Sequence, residues 1–226
     1  MIRVFIGYDK KEISAYHVLC QSILSRSSVP VSFTPLNRDN LKSIYHRDRG
    51  PLESTDFSMS RFLVPYLCDF KGTAIFLDCD MLCLGDIAEL AKYDKHAVSV
   101  VKHDYTPKEE TKFLGAVQTK YVKKNWSSVM VFNNAKCLAL GPRAVNVEPG
   151  LWLHQFKWLD ESQIGEIPKQ WNWLIDEYEG LPSDAKLLHY TLGGPYFDDY
   201  RNCTGAQLWI DEFVSLNYLK ENNARI

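Results

Sequence analysis

The stretch TAIFLDCDMLCLGDI, Thr73 to Ile87, decides how this chain folds. Ala74 to Leu77 form an apolar run of strand length with no polar break, the pattern of a strand covered on both faces. The run ends on Asp78 and Asp80, separated by Cys79. Alternate residues of an extended chain point the same way, so the two carboxylates share a side. Like charges this close raise each other's pKa unless a cation neutralises them. A hard divalent ion does so, and Mg²⁺ and Mn²⁺ take one or two carboxylates plus substrate phosphates. The competing reading is a pair of solvated turn residues, one capping MLCLGDI; the apolar run directly before the pair favours a site.

Outward from this stretch, strands and helices alternate. IRVFIGYD (Ile2–Asp9) reads as a buried strand, and EISAYHVLCQSILSRS carries a helical stripe of Ile13, Tyr16, Leu19, Cys20 and Ile23. Val29–Leu36 alternates like a second strand, and NRDNLKSIY suits a short helix capped by Asn37 or Asp39. A polar loop follows, then SMSRFLVPYLCDF as a helix that kinks or ends near Pro65. Downstream, His96–His103, Trp126–Asn134 and Ala185–Tyr190 read as strands, GLWLHQFKWL as a helix, and IGEIPKQWNWL as a short strand with an extended segment. The tail from Gly205 reads as a terminal helix or two. Residues 103–124 are polar and charged, which suits either a lid or a plain surface loop. The alternation predicts one α/β domain with a largely parallel sheet at its start, and in such sheets ligands bind off the carboxyl ends of strands.

Composition bounds the function. The 226 residues carry 46% hydrophobic and 24% charged side chains and a formal net charge of −2, so nothing suggests a nucleic-acid binder. No run approaches the ~20 apolar residues of a membrane span, and no secretory leader is visible in MIRVFIGYDKKE. The cysteines (20, 68, 79, 83, 137 and 203) form no CxxC pair, which argues against zinc and for buried thiols in a reducing cytoplasm. Six Trp and twelve Tyr fit a dense core or a sugar-stacking surface.

Three chemistries share an acid pair at a strand end: nucleotide-sugar transfer, nucleotidyl transfer and aspartyl-phosphate formation. The third expects a small hydroxyl residue after the pair on a first strand, and here Met81 and Leu82 follow on a later one. Four ordered segments then resemble a metal-dependent glycosyltransferase of the GT-A fold, closest in pattern to glycosyltransferase family eight. They are VFIGYD, SRFLVPYL, AIFLDCDMLCLGDIAEL, and LLHY followed by a Gly pair, together covering about residues 2–195. The resemblance implies an α/β, single-domain GT-A-like mixed sheet flanked by helices. Residues 1–102 would form the nucleotide- and metal-binding half and 125–226 the sugar and acceptor half. It implies Asp80, Asp78 and His189 as ligands to Mn²⁺ or Mg²⁺, with Asp78 alternatively on the ribose. Tyr8 would stack on the base, Asp9 would hold ribose or base, Arg61 would reach the donor, and Gly193 and Gly194 would let backbone N–H groups approach a diphosphate. The bland alternatives are core packing for Tyr8, a structural ion pair for Arg61 and an ordinary histidine at 189.

The later motifs match with departures. NWSSVMVFNN places Trp126 where the family has its first Asn and Ser128 where it has Gly, while Asn133 matches the strand end and could meet sugar hydroxyls. Asn134 could equally cap the next helix. In WLDESQIGEIPKQWNWL the better register puts Asp160 on the family's acid, near the reacting sugar, with Glu161 and Gln163 behind it. Trp171 could line the acceptor or pack. The family pattern after the metal His contains a Lys on the diphosphate, whereas HYTLGGPYF has none; either another base such as Arg61 or Lys124 neutralises the phosphates, or donor binding is weaker or arranged differently. The resulting expectation is transfer from a nucleoside-diphosphate sugar, UDP favoured, to a glycan or other hydroxyl acceptor with retention. A nucleotidyltransferase should carry a Gly-rich phosphate loop after the first strand, where this chain has only Gly7; an inactive sugar-binding homologue would not need both acids and the histidine.

Overall fold

In the computed structural model, residues 1–50, 53–109, 111–117 and 121–216 are described. The first strands are β1 (Ile2–Tyr8), β2 (Val31–Asn37), β3 (Thr73–Leu77), β4 (Met81–Cys83) and β5 (Val98–Val100). A hairpin of β6 (Thr111–Lys112) and β7 (Ala116–Val117) precedes β8 (Val129–Asn133), β9 (Ile164–Glu166), β10 (Trp173–Leu174) and β11 (Leu187–His189). The helices are α1 (Ile13–Leu24), α2 (Val64–Leu67), α3 (Pro142–Val147), α4 (Gly150–His154) and α5 (Ala206–Leu216).

One sheet has six strands in the order β2-β1-β3-β8-β5-β9. β1 pairs parallel with β2 and with β3, as the alternation of the first hundred residues predicts. β8 runs antiparallel to both its neighbours, so β2, β1, β3, β5 and β9 all run against it. The strands are short apolar runs because both faces are covered: Ala74 through Leu77 are at most 1% exposed. Burying Ile75, Phe76 and Leu77 is worth roughly 1.5–3 kcal/mol each.

A second sheet of three strands, β10-β11-β4, was not foreseen. MLC is too short and too close to the acids to announce a strand by periodicity. β4 nevertheless pairs antiparallel with β11, setting His189 opposite Met81. α1 packs against β4 as well as β1, so its Val18 joins Leu82, Leu188 and Trp209 in a separate apolar cluster under the small sheet.

Other elements are shorter than the patterns suggest. The expected helix over 58–70 is a 3-10 turn at Ser60–Leu63 leading into α2, with Pro65 in the first turn, where its missing N–H costs no bond. The expected strand His96–His103 enters the sheet only at β5, and the helix expected from Gly150 ends at His154. Asn37 caps its short turn as predicted, its side chain accepting from the Asp39 N–H. α5 fulfils the expected terminal helix to Leu216; residues 217–226 lie outside the described residues, as do 110 and 118–120 of the expected lid. Among the described residues no helix is long and apolar enough to cross a membrane.

Candidate metal centre and active site

Asp78 and Asp80 sit on the seam between the two sheets. The Asp78 N–H continues the β3–β8 ladder by donating to the Ser128 carbonyl at 3.0 Å. The Asp80 carbonyl continues the β4–β11 ladder by accepting from Tyr190 N–H at 2.9 Å. Between them Cys79 points the other way and is fully buried, which alternation requires. The same ladder delivers His189, the last residue of β11, so that its Nε2 lies 3.3 Å from Asp80 Oδ1. One ligand atom from each of Asp78, Asp80 and His189 falls within 4.8 Å of the others.

The imidazole is held from behind. His189 Nδ1 donates to Asn172 Oδ1 at 2.9 Å, while Asn172 Nδ2 donates to Ser128 Oγ at 2.8 Å. With Nδ1 as the donor, Nε2 turns its lone pair toward Asp80. Two acceptors 3.3 Å apart need a positive charge between or beside them, either a proton or a metal ion. Asp78 Oδ1 and Asp80 Oδ1 are buried and accept no hydrogen bond. Two buried carboxylates beside an oriented imidazole, with the Asp80 Oδ1 reached by no donor, fit a divalent ion.

The two acids differ electrically. Burial pushes the Asp78 carboxyl up to about 6, although the Arg61 guanidinium pulls it down. Arg61 Nη1 lies 2.8 Å from Asp78 Oδ1, yet its hydrogen bonds go to the Ser127 carbonyl and, through Nε, to the Ser58 carbonyl. Burial also acts on Asp80, but the facing His189 and the nearby Lys112 outweigh it and hold this carboxyl below its ordinary value. Behind the pair, Glu12 is buried and kept well above the usual carboxylate range by desolvation and by Asp80.

The site opens into a cavity of about 560 Å³. Its lining includes Asp78, Asp80, His189, Lys112 and Lys124, together with Arg61, His154 and Arg47.

Along the sequence the chain is 48% identical over 230 residues to Protein CDI of Arabidopsis thaliana, covering 97% of this chain and 88% of that protein. The chain belongs to the CDI family. No protein-family model matches it. Among solved structures, this CDI-family chain resembles WbbM, a bifunctional glycosyltransferase, with a TM-score of 0.65 at 14% identity over 94% of its length. GlyE, a glycosyltransferase of Streptococcus pneumoniae TIGR4, gives a TM-score of 0.60 at 16% identity over 95%. The chain spans only 49% of WbbM and 61% of GlyE. The galactosyltransferase LgtC, solved with donor and acceptor sugar analogues, matches with a TM-score of 0.55 at 14% identity over 98% of both chains. The CDI-family fold is therefore GT-A-like, a single-domain mixed sheet flanked by helices, as the ordered motifs imply.

Within that fold the predicted site residues divide. Asp78, Asp80, His189 and Arg61 come together. Arg61 is buried between the Phe57 and Phe76 rings and committed to Asp78, which is the structural ion pair weighed for it. Asp9 is not available to a ribose or base: its Oδ1 accepts from Lys11 N–H and its Oδ2 from Asp56 N–H. It ties the end of β1 to the loop carrying Thr55 and Ser58 of the cavity wall. Tyr8 is half-buried and edge-on to Tyr16, beyond the residues that line the cavity with the acids.

Three further expectations are corrected. Asn133 lies at the wrong end of the sheet, because β8 runs antiparallel: Val129, not Asn133, pairs with Leu77, and Asn133 pairs with Thr73. That is roughly 17 Å along the strand from Asp78, and its amide serves the Asp94 carbonyl. Asp160 is exposed and caps the turn Glu161–Gln163 that enters β9, with Gln163 completing the capping box and Glu161 paired to Lys123. Gly193 and Gly194 serve aromatic packing rather than phosphate approach. A Cβ on Gly193 (φ +146°) would lie 2.5 Å from the Tyr200 ring, one on Gly194 2.3 Å from Tyr196, and the Gly193 N–H already donates to the Tyr190 carbonyl. Trp171 is core.

The residues missed are Asn172, Ser128 and Asn125, which orient the site, and Ser127 and His154, which share a 2.8 Å hydrogen bond in the cavity wall. Asn172 had a signal in the IPKQWN match, unused because its partner lies on β11.

Two imidazoles are held neutral. Burial lowers His103 and His154 from their ordinary 6.5 to about 3. A depressed folded pKa leaves this contribution intact above pH 6.5 and loses it as pH falls from 6.5 toward 3, where the unfolded chain is protonated first. Each histidine is expected to cost roughly 1.4 kcal/mol of stability per pH unit across that window. Urea unfolding at pH 7 and 4.5 should show a shallower pH dependence for His103→Gln than for wild type; equal slopes would contradict the assignment.

Proposed function

We propose that this chain is a metal-dependent glycosyltransferase that moves a sugar from a nucleoside-diphosphate donor, UDP-sugar favoured, to a hydroxyl acceptor. One observation carries the reading: on a GT-A-like fold, Asp78, already ion-paired with Arg61, and Asp80, whose buried Oδ1 accepts no hydrogen bond, converge on an imidazole whose tautomer is set by Asn172. Asp80, Asp78 and His189 would hold Mn²⁺ or Mg²⁺. When bound, the ion would supply positive charge against which a diphosphate can leave. The chain's own residues do the rest. Asn172 and Ser128 fix the imidazole, Arg61 balances Asp78, and the amide and hydroxyls of Asn125, Ser127 and Thr191 offer partners for sugar hydroxyls in the cavity.

Relation to glycosyltransferase family eight, retention of configuration and a cytoplasmic setting belong to the same reading, the last supported by six unpaired thiols. So do the two halves, 1–102 and 125–226, although His189 makes the metal site depend on both.

The test is the melting temperature with UDP, GDP, ADP and CDP, each with and without Mn²⁺. A ligand at a hundredfold its dissociation constant stabilises by about 2.7 kcal/mol. A shift that needs both nucleotide and metal is expected. The reading fails if no nucleoside diphosphate gives one; release of pyrophosphate from a nucleoside triphosphate would point instead to nucleotidyl transfer.

A further inference from the structure

We infer that Lys112, on the β6–β7 hairpin, is the cation that meets the outer phosphate of the donor, replacing the lysine absent after His189. The inference rests on the glycosyltransferase reading and deepens it.

The need for such a group follows from charge. A divalent ion held by two carboxylates is already neutralised on the protein side, so the charge of a diphosphate calls for further cations. Arg61 cannot provide one, since its guanidinium is taken by Asp78 and by the Ser58 and Ser127 carbonyls. The segment after His189, YTLGGPYF, contains no basic residue.

The hairpin compensates by packing on that same segment. Phe113 N–H donates to the Leu192 carbonyl at 2.7 Å, and the Phe113 ring stacks on Phe197 with centroids 5.0 Å apart and planes 11° apart. Lys112, the neighbouring residue, is thereby anchored to the loop from which the base is missing, and it lines the cavity with Asp78, Asp80 and His189. Its ammonium makes no ion pair or hydrogen bond among the described residues and only rests 5.5 Å from the Phe113 ring centroid. Lys124 lines the same cavity, and burial together with Lys112 pushes it down to about 8, so two amines line the cavity that holds the acids. Lys112 is favoured because the hairpin ties it to the post-histidine loop.

The experiment is calorimetric binding of UDP and UMP in Mn²⁺ to wild type, Lys112→Met, Lys112→Arg and Lys124→Met, with GDP, ADP and CDP and their monophosphates in place of the uridine pair if UDP does not bind. Lys112→Met should weaken the diphosphate roughly tenfold or more. The monophosphate should change little, and Lys112→Arg should restore most of the diphosphate affinity. The melting temperature of the free protein should change little, since Lys112 makes no ion pair or hydrogen bond among the described residues. If wild type binds a diphosphate with metal and Lys112→Met binds it equally well, the inference falls while the functional reading stands. Equal loss of mono- and diphosphate, or a diphosphate-selective loss in Lys124→Met alone, also overturns it. If wild type binds no nucleoside diphosphate, the functional reading falls and takes this inference with it.

Discussion

Asp80→Ala is expected to abolish Mn²⁺-dependent nucleoside-diphosphate binding and to lower turnover by roughly 10²–10³-fold, with the fold intact. The carboxylate is buried, its Oδ1 accepts no hydrogen bond, and it faces His189 Nε2 at 3.3 Å. The residue's structural bond is made by its backbone carbonyl, which the substitution keeps. The substitution gives up the pairing with His189 that holds this carboxyl below its ordinary value, and it relieves the like-charge strain with Asp78 and Glu12. These two effects oppose each other, so the metal-free protein should still melt cooperatively, while the Mn²⁺-dependent shift disappears. Release of nucleoside diphosphate and thermal shift with metal measure the two halves of this result. Wild-type turnover in the variant would dispose of Asp80 as a ligand.

Arg61→Met is expected to do the opposite, striking the fold first. The guanidinium is 6% exposed, lies between two phenylalanine rings and neutralises Asp78. Its loss strands a buried carboxylate and two carbonyls, and breaking a buried pair from one side typically costs about 3–5 kcal/mol. Most of that should return in Arg61→Met/Asp78→Asn, where the stranded charge is gone. The pH dependence has a definite sign. Asp78 already titrates at about 6 with Arg61 present, and burial unopposed would push it further up. A folded pKa above the unfolded value means stability is lost as pH rises, so the single variant should be weaker at pH 8 than at pH 5. Urea unfolding of the single and double variants checks this; equal stabilities would mean that the pair is not what holds Arg61 in place.

Much of the frame was legible because burial has a local signature. The apolar run before Asp78 marked a covered strand, the first two strands and α1 followed their periodicities, and the Asn37 cap followed its side-chain chemistry. The errors share a cause. Asn133 was assigned to the site because it ends an apolar strand, but β8 alone runs backward in the sheet, and no residue within β8 announces its direction. Asp9 and the glycine pair look chemically suited to a nucleotide, yet their partners, the Asp56 N–H and the Tyr196 and Tyr200 rings, are contributed by distant segments.

What the sequence by itself determined is the pair of acids: the spacing of Asp78 and Asp80 on an extended strand end puts two carboxylates on one side, wherever that strand goes. Tertiary structure alone decided what answers them. The β4–β11 ladder brings His189 to Asp80, β10 places Asn172 behind it, and the Phe113–Phe197 stack carries Lys112 to the same cavity. These are pairings between segments far apart in the chain. Strand alternation is a property of neighbouring residues, whereas partnership across a sheet depends on register and direction, which only the assembled fold supplies.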